Sequence, residues 1–407
     1  MKKLWIFFAL LIVGGQFCAA QDKAAKNVLQ AQVERNNKFA IELFGKLSKP
    51  GENLFFSPYS ISQAMGMAYA GARGNTAAEI AQTMGFDKAP QEAMSQIASK
   101  INSSTGENLV EIANSFWAQQ NANFLPEFLK TLQTSYFAEA YKADFSQSAK
   151  SAAEINGWVS KKTRDMIPGI VSPSDISLAT KLILVNAIYF EGIWQNKFKK
   201  KDTNPAVFFG SKGDFQLPFM FAHDFCLYGK TDGVQVLSKP YKGGNFALQI
   251  LLPKEKNGLP KLEKSLTAKK LEKLTAKLTD TDLELYLPKY KAESSFSLSD
   301  YLRALGIKDA FSFPQADFSG MDGKKDLFIS KVLHKASVAV DEEGTKAAAA
   351  TAVIMTLGAI MEPEPPVVFR ADHPFIYIIR HVPTNAILFM GKFGEEKSGS
   401  VGAPAQE

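Results

Sequence analysis

Four histidines, at 223, 334, 373 and 381, are the side chains best suited to acid–base or metal chemistry in this 407-residue chain. None sits in a pattern that would use it. No G-x-S-x-G elbow, H-E-x-x-H pair, glycine-rich phosphate loop or C-x-x-C dithiol occurs. Only His373 and His381 approach ligand spacing, and they straddle an apolar, strand-like run. His334 alternates with Val332, Ala336, Val338 and Val340 along another such run, and a lone histidine on an inward face is more often a hydrogen-bonded core residue than a ligand. No catalytic residue, metal or cofactor is expected, so the chain is read as something other than an enzyme.

The informative stretch is 341–356, DEEGTKAAAATAVIMT. Glu342 and Glu343 lead into Gly344 and Thr345, then Lys346, four alanines (Ala347, Ala348, Ala349 and Ala350) and the β-prone run Thr351, Ala352, Val353, Ile354. Alanines favour helix, yet the flanks are β-branched residues suited to a pleated sheet. With no bulky side chain before Val353 the segment cannot anchor a core, but it can slide between existing strands. With a period of two, Thr345, Ala347, Ala349 and Thr351 share one face, and Lys346 puts the only charge on the other. This is a loop composed to become a strand.

The segment and its surroundings resemble the serpin family, specifically the hinge of an inhibitory member. Asn53-Leu54-Phe55-Phe56-Ser57-Pro58-Tyr59-Ser60-Ile61 is similar to the family's early strand-to-helix motif. Leu184 to Phe198, with Asn186, Tyr189, Gly192 and Trp194 in place, resembles its central strand motif. Phe369 to Arg380 (FRADHPFIYIIR) resembles the family signature, and Ile387 to Phe393 (ILFMGKF) its closing strand. The four matches stand in the right order.

The resemblance implies an α+β serpin fold with about three β-sheets, about nine helices and an exposed reactive-centre loop at about 344–363. It implies a single domain over 27–394. The function implied is suicide-substrate inhibition: a serine protease attacks the loop, and the cleaved loop inserts into the main sheet before the acyl-enzyme hydrolyses. The hinge is Glu342 to Thr351, with Lys346 a departure from the glutamate common in the family. Ser57, Ser60, Asn186 and His334 form a polar cluster beneath the main sheet that lets its strands part. Glu342 pairs with Lys289 at the top of the sheet, near Trp194. Counting from Glu342 as the family does places the reactive bond at Gly358–Ala359. Leu357, Ile360 and Met361 are alternatives, because the loop ahead of Phe369 is longer than usual. None of these is basic, so elastase-like, subtilisin-like or chymotrypsin-like targets fit better than trypsin-like ones. A non-inhibitory carrier or chaperone of the same family is the alternative.

The elements that must position these residues are legible in outline. Val28 to Leu47 has helical spacing, and Ser57-Pro58 opens a buried helix to Gly71. Glu111 to Gln119 and Leu182 to Tyr189 are apolar strands, the second unbroken enough to be central. Ala247 to Leu252 and Leu283 to Leu287 are strands ended by proline, and Phe296 to Leu305 is a helix closed by Gly306. Lys331 to Val340 is a strand feeding the hinge.

Length alone allows two or three domains of ~150 residues, but no linker or repeat divides the chain. Its 46% hydrophobic content, with 31 Phe, supplies one large core. The net charge of +6 is spread out. The run Lys197, Lys199, Lys200, Lys201 reads as a solvated face, with a polyanion site the weaker alternative. No nucleic-acid partner is expected, since arginines with interleaved aromatics are missing, and a monomer is expected. At the N-terminus Lys2 and Lys3, the apolar Leu4 to Val13 and Cys18-Ala19-Ala20 read as a secretion signal over residues 1–20, bacterial in character. The implied product is secreted, extracellular or periplasmic. Cys18 raises lipoprotein anchoring, against which Gln16 and Phe17 replace the small residues a lipobox wants. Removal of the signal leaves Cys226 without a disulfide partner. The tail, 395–407, is expected to be disordered.

Overall fold

The computed structural model describes residues 28–87, 89–345 and 366–396. The leader with Cys18, hinge residues Lys346 to Thr351, the reactive-bond candidates Leu357 to Met361 and nearly all of the tail lie outside the described residues.

In chain order the elements are α1 (28–47), β1 (Leu54–Phe56), α2 (Pro58–Gly71), α3 (Gly74–Met84), α4 (Gln91–Ser103), β2 (Leu109–Gln119), α5 (Pro126–Tyr136), β3 (Glu139–Ala143), α6 (Ser148–Lys162) and β4 (Leu182–Ile193). There follow β5 (Thr203–Phe209), β6 (Asp214–Thr231), β7 (Val234–Pro240), β8 (Phe246–Pro253), α7 (Leu259–Ser265), α8 (Ala268–Thr275), β9 (Thr279–Pro288) and β10 (Tyr290–Ser297). The chain closes with α9 (Ser299–Leu305), α10 (Ser319–Asp322), β11 (Ile329–Val340), β12 (Gly344–Thr345), β13 (Val367–Arg370), β14 (Phe375–His381) and β15 (Ala386–Phe393).

Among the described residues the strands form two hydrogen-bonded networks. One runs β10-β11-β4-β2-β3 with β12 added on β4; the other runs β1-β15-β14-β8-β7-β6-β9-β13 with β5 added on β6. Three sheets were expected. Two of them are joined because β6 is long enough to serve both, pairing with β5 and β9 along its first part and with β7 at its end.

β4 is the spine of the first sheet. Its side chains from Leu182 to Phe190 are buried on both faces, which explains the unbroken apolar run. Ile183, Val185 and Ala187 pack beneath α6 with Ile155 and Val159. Leu182 and Leu184 face the core under α2, and Ile188 and Phe190 face the core shared with the second sheet. α2 begins as its sequence demands: the Ser57 hydroxyl accepts the Ser60 N–H at 3.1 Å, and Pro58 occupies the first turn.

One boundary differs from expectation. Phe296 and Ser297 do not open α9; they end β10, paired with His334 and Leu333 of β11. Sheet pairing takes both residues and the helix starts only at Ser299, although Gly306 does close it.

Leu184→Ala is expected to destabilise the protein by about 2–5 kcal/mol through the cavity left in a rigid central strand. A denaturant midpoint unchanged from the parent would contradict that account of β4.

Candidate functional site

Two polar assemblies lie on β4, one at mid-strand and one at its end. At the middle, His334 of β11 stands opposite Asn186, and both are fully buried. The Ser57 backbone N–H donates to His334 Nε2 at 3.1 Å. That nitrogen therefore carries the lone pair, and Nδ1 carries the proton that faces Asn186 Oδ1. The Asn186 amide donates to Ser60 Oγ and to Asn114 Oδ1, and Ser57 Oγ donates to the Leu388 carbonyl at 2.6 Å. Burial pushes His334 down to about 3, against a small opposing effect of its Asn186 hydrogen bond. The ring is neutral at pH 7.

The structure thus gathers Ser57, Ser60, Asn186 and His334. It adds Asn114, which sequence reasoning missed. The available signal was an asparagine inside the apolar run of β2, and it lies directly across from Asn186.

At the upper end, β4 and β11 pair in parallel only from Leu182/Ile329 to Tyr189/Ser337. Beyond that point β12 takes over β4, antiparallel, with Gly344 opposite Ile193 and Thr345 opposite Gly192. A Cβ on Gly344 would stand 1.9 Å from the Gly192 carbonyl oxygen, so nothing larger fits. Thr345 is fully buried, its hydroxyl 2.7 Å from the Tyr241 hydroxyl. Tyr241 in turn stacks on Trp194 at 4.5 Å.

The residues before β12 are held by the turn that follows β4. The Trp194 and Phe198 N–H groups donate to the Glu343 and Glu342 carbonyls, each at 3.0 Å. The Trp194 indole donates to the Asp341 carbonyl at 2.9 Å. Lys289 Nζ lies 2.8 Å from Glu342 Oε2, and Thr203 donates to the other oxygen at 3.0 Å. Burial opposes ionisation of Glu342, but these donors outweigh it and hold its carboxyl below the usual range.

Lys197 departs from expectation. It is no part of a solvated face, being partly buried and 2.7 Å from Glu343 Oε2, whereas Lys199, Lys200 and Lys201 are exposed. Thr203 and Tyr241 were also missed, and nothing in their local sequence marks them.

A family model described as Serpin (serine protease inhibitor) matches residues 34–395. The chain belongs to the serpin family. Leukocyte elastase inhibitor A of Mus musculus is 41% identical over 371 residues, which is 88% of this chain and 97% of that protein. Leukocyte elastase inhibitor of Homo sapiens is 40% identical over 372 residues, with the same coverage. Among solved structures, native protease nexin-1 with heparin superposes with a TM-score of 0.83 at 28% identity, covering 90% of this chain and all of the other. These relatives bear out the serpin fold and support protease inhibition, an activity in which the family's inhibitors generally are not catalysts.

They also correct two expectations. The relatives are mammalian, and the bacterial source read into the leader is not borne out. They are intracellular serpins, which overturns the secreted, extracellular or periplasmic location and the lipid anchor with it.

The His334 geometry has a pH consequence. Unfolded, the ring titrates near 6.5; folded, near 3. Between those values the unfolded chain binds more protons, so stability is intact above pH 6.5 and falls as the pH drops toward 3, by up to about 1.4 kcal/mol per pH unit. His381, held down to about 4 by burial and by Lys100, acts in the same direction. His334→Gln should flatten the dependence of melting temperature on pH between 6.5 and 4. A slope as steep as the parent's would show that His334 is not the titrating group.

Proposed function

We propose that this chain is a suicide-substrate inhibitor of serine proteases, with a single inhibitory domain over 27–394 and a reactive-centre loop at about 344–363. The observation that carries the reading is β12: two hinge residues already stand as the first pair of a strand where β4 and β11 separate. Continuing that antiparallel register would set Ala347 opposite Phe190, Ala349 opposite Ile188, Thr351 opposite Asn186 and Met355 opposite Leu182. The small face that starts at Thr345 would then enter the core past Asn186 and His334, and Lys346 would stay on the outer face.

In this reading the protease serine attacks the Gly358 carbonyl, the bond to the Ala359 nitrogen breaks, and the Ala359 amine leaves while the acyl ester remains. The freed hinge inserts, adding ladder hydrogen bonds of ~1 kcal/mol net each and apolar burial at ~25 cal/mol per Å². The protease is carried along and distorted before water releases it. Loop insertion in serpins is the familiar case of strain released by proteolysis. Small and apolar residues around Gly358 favour elastase-like, subtilisin-like or chymotrypsin-like enzymes. The elastase inhibitors among the relatives favour the first of these.

Incubating the protein with an elastase should give a complex of the summed masses that survives a denaturing gel, and the peptide released should begin at Ala359 or within about three residues of it. Clean cleavage without a complex would make the chain a non-inhibitory serpin. Efficient trapping of trypsin, with release at Lys346 or Arg370, would overturn the register and the target class.

Thr345→Arg should turn inhibitor into substrate, because a buried charge without a partner costs several kcal/mol, roughly, on the inserting face. Loop cleavage would persist while complexes disappear. Undiminished trapping by this variant would contradict the insertion step.

A further inference from the structure

The turn that holds the hinge is itself held from behind by a buried ion pair. Lys239 of β7 is fully buried and Asp224 of β6 nearly so, and their side chains are in direct contact. The Lys239 ammonium also donates to the Asn196 carbonyl at 2.9 Å. Its remaining surroundings are the rings of Trp194, 5.4 Å away, and Phe198, 4.9 Å away. The second Asp224 oxygen accepts the Asn196 side-chain amide at 2.7 Å, and the Cys226 thiol lies 3.5 Å from the first. Asn196 is thus gripped through both its backbone and its side chain, midway between the two residues whose N–H groups hold Glu343 and Glu342.

A buried charge pair is a poor source of stability but a strict source of geometry. Its desolvation cost is offset only when both partners stay in place, and losing one leaves the other uncompensated. We propose that Lys239 and Asp224 are positioning residues for loop insertion. By fixing turn 194–198 they keep Glu342 and Glu343 aligned over the gap between β4 and β11, so that insertion starts from a strand already in register. This rests on the loop-insertion reading above. Both act through Asn196, Trp194 and Phe198.

The test uses the full chain carrying Lys239→Met with Asp224→Leu, an apolar pair that removes both charges together. Asn196→Ala, which leaves the ion pair intact and loses only one grip, is the second variant should the first fold poorly. Insertion is read without a target protease, as the rate at which protein nicked in the loop gains thermal stability. Hydrogen exchange reports on the Trp194 and Phe198 amides of the intact protein. The double variant should insert at least threefold more slowly and exchange these amides at least tenfold faster, with Asn196→Ala intermediate, while the rate of loop cleavage stays as in the parent. Parent protein that gains no stability on nicking would remove the insertion reading itself, and this inference with it. A parent that inserts, beside folded variants inserting equally fast, would overturn the positioning role alone, whatever their exchange rates.

Discussion

The first sheet has two parallel pairings, β2 with β3 at its edge and β4 with β11 inside it, and the rest of the molecule is arranged around the β4–β11 seam. Parallel pairs are slightly weaker per residue than antiparallel ones, and this seam ends at Tyr189 and Ser337, short of both strand ends. What seals it is a neutral imidazole. His334 spans from Asn186 on the neighbouring strand to the backbone of Ser57 at the head of α2, so sheet and helix are joined through a group with one donor and one acceptor. Protonation would destroy that match, since a second N–H would face the Ser57 donor. The desolvated environment that keeps the ring neutral is therefore the same one that keeps the strands together.

The outer face of the seam is strapped as well. Lys331 reaches Asp175 at 3.0 Å, and Lys335 donates to the Gly169 carbonyl at 3.1 Å, so two residues of β11 hold the segment that returns from α6 across the sheet. At the top the controls are layered differently. The backbone N–H groups of Trp194 and Phe198 hold the hinge whatever its side chains are, while Lys289 and Lys197 match its two carboxylates. Glu342 is the more buried of the two carboxylates and takes a second donor in Thr203, whereas Glu343 and Lys197 are both partly buried.

Much of this was legible in the chain. The unbroken apolar stretch of β4 and the alternation around His334 each have a direct physical cause, and each pointed to its place. The polar cluster was implied by the family resemblance, and its physical ground is that a histidine and an asparagine in apolar strands must find partners. Asn114 obeyed the same logic but was overlooked, since its strand also carries polar residues at its ends. Lys197 and Thr203 were illegible for another reason: their roles depend on a carboxylate distant in sequence. The end of β10 was misjudged because Phe296 fits a helical stripe as well as a strand, and only the long-range pairing with β11 decides between them. A basic, then apolar, N-terminus does not by itself fix a cellular location.

β4 also serves as a ruler. Its twelve residues, at about 3.3 Å each, measure roughly 40 Å. Any chain laid fully along it from Gly344 reaches the far end near Met355, only a few positions before Gly358. With the proposed bond at Gly358–Ala359, the loop and the strand are matched in length, and the length of β4 sets the distance over which a passenger would be hauled. Lengthening the loop ahead of the cleaved bond would leave slack at the end of the track. Shortening it would stop the passenger before the edge of the sheet, with its own fold still intact.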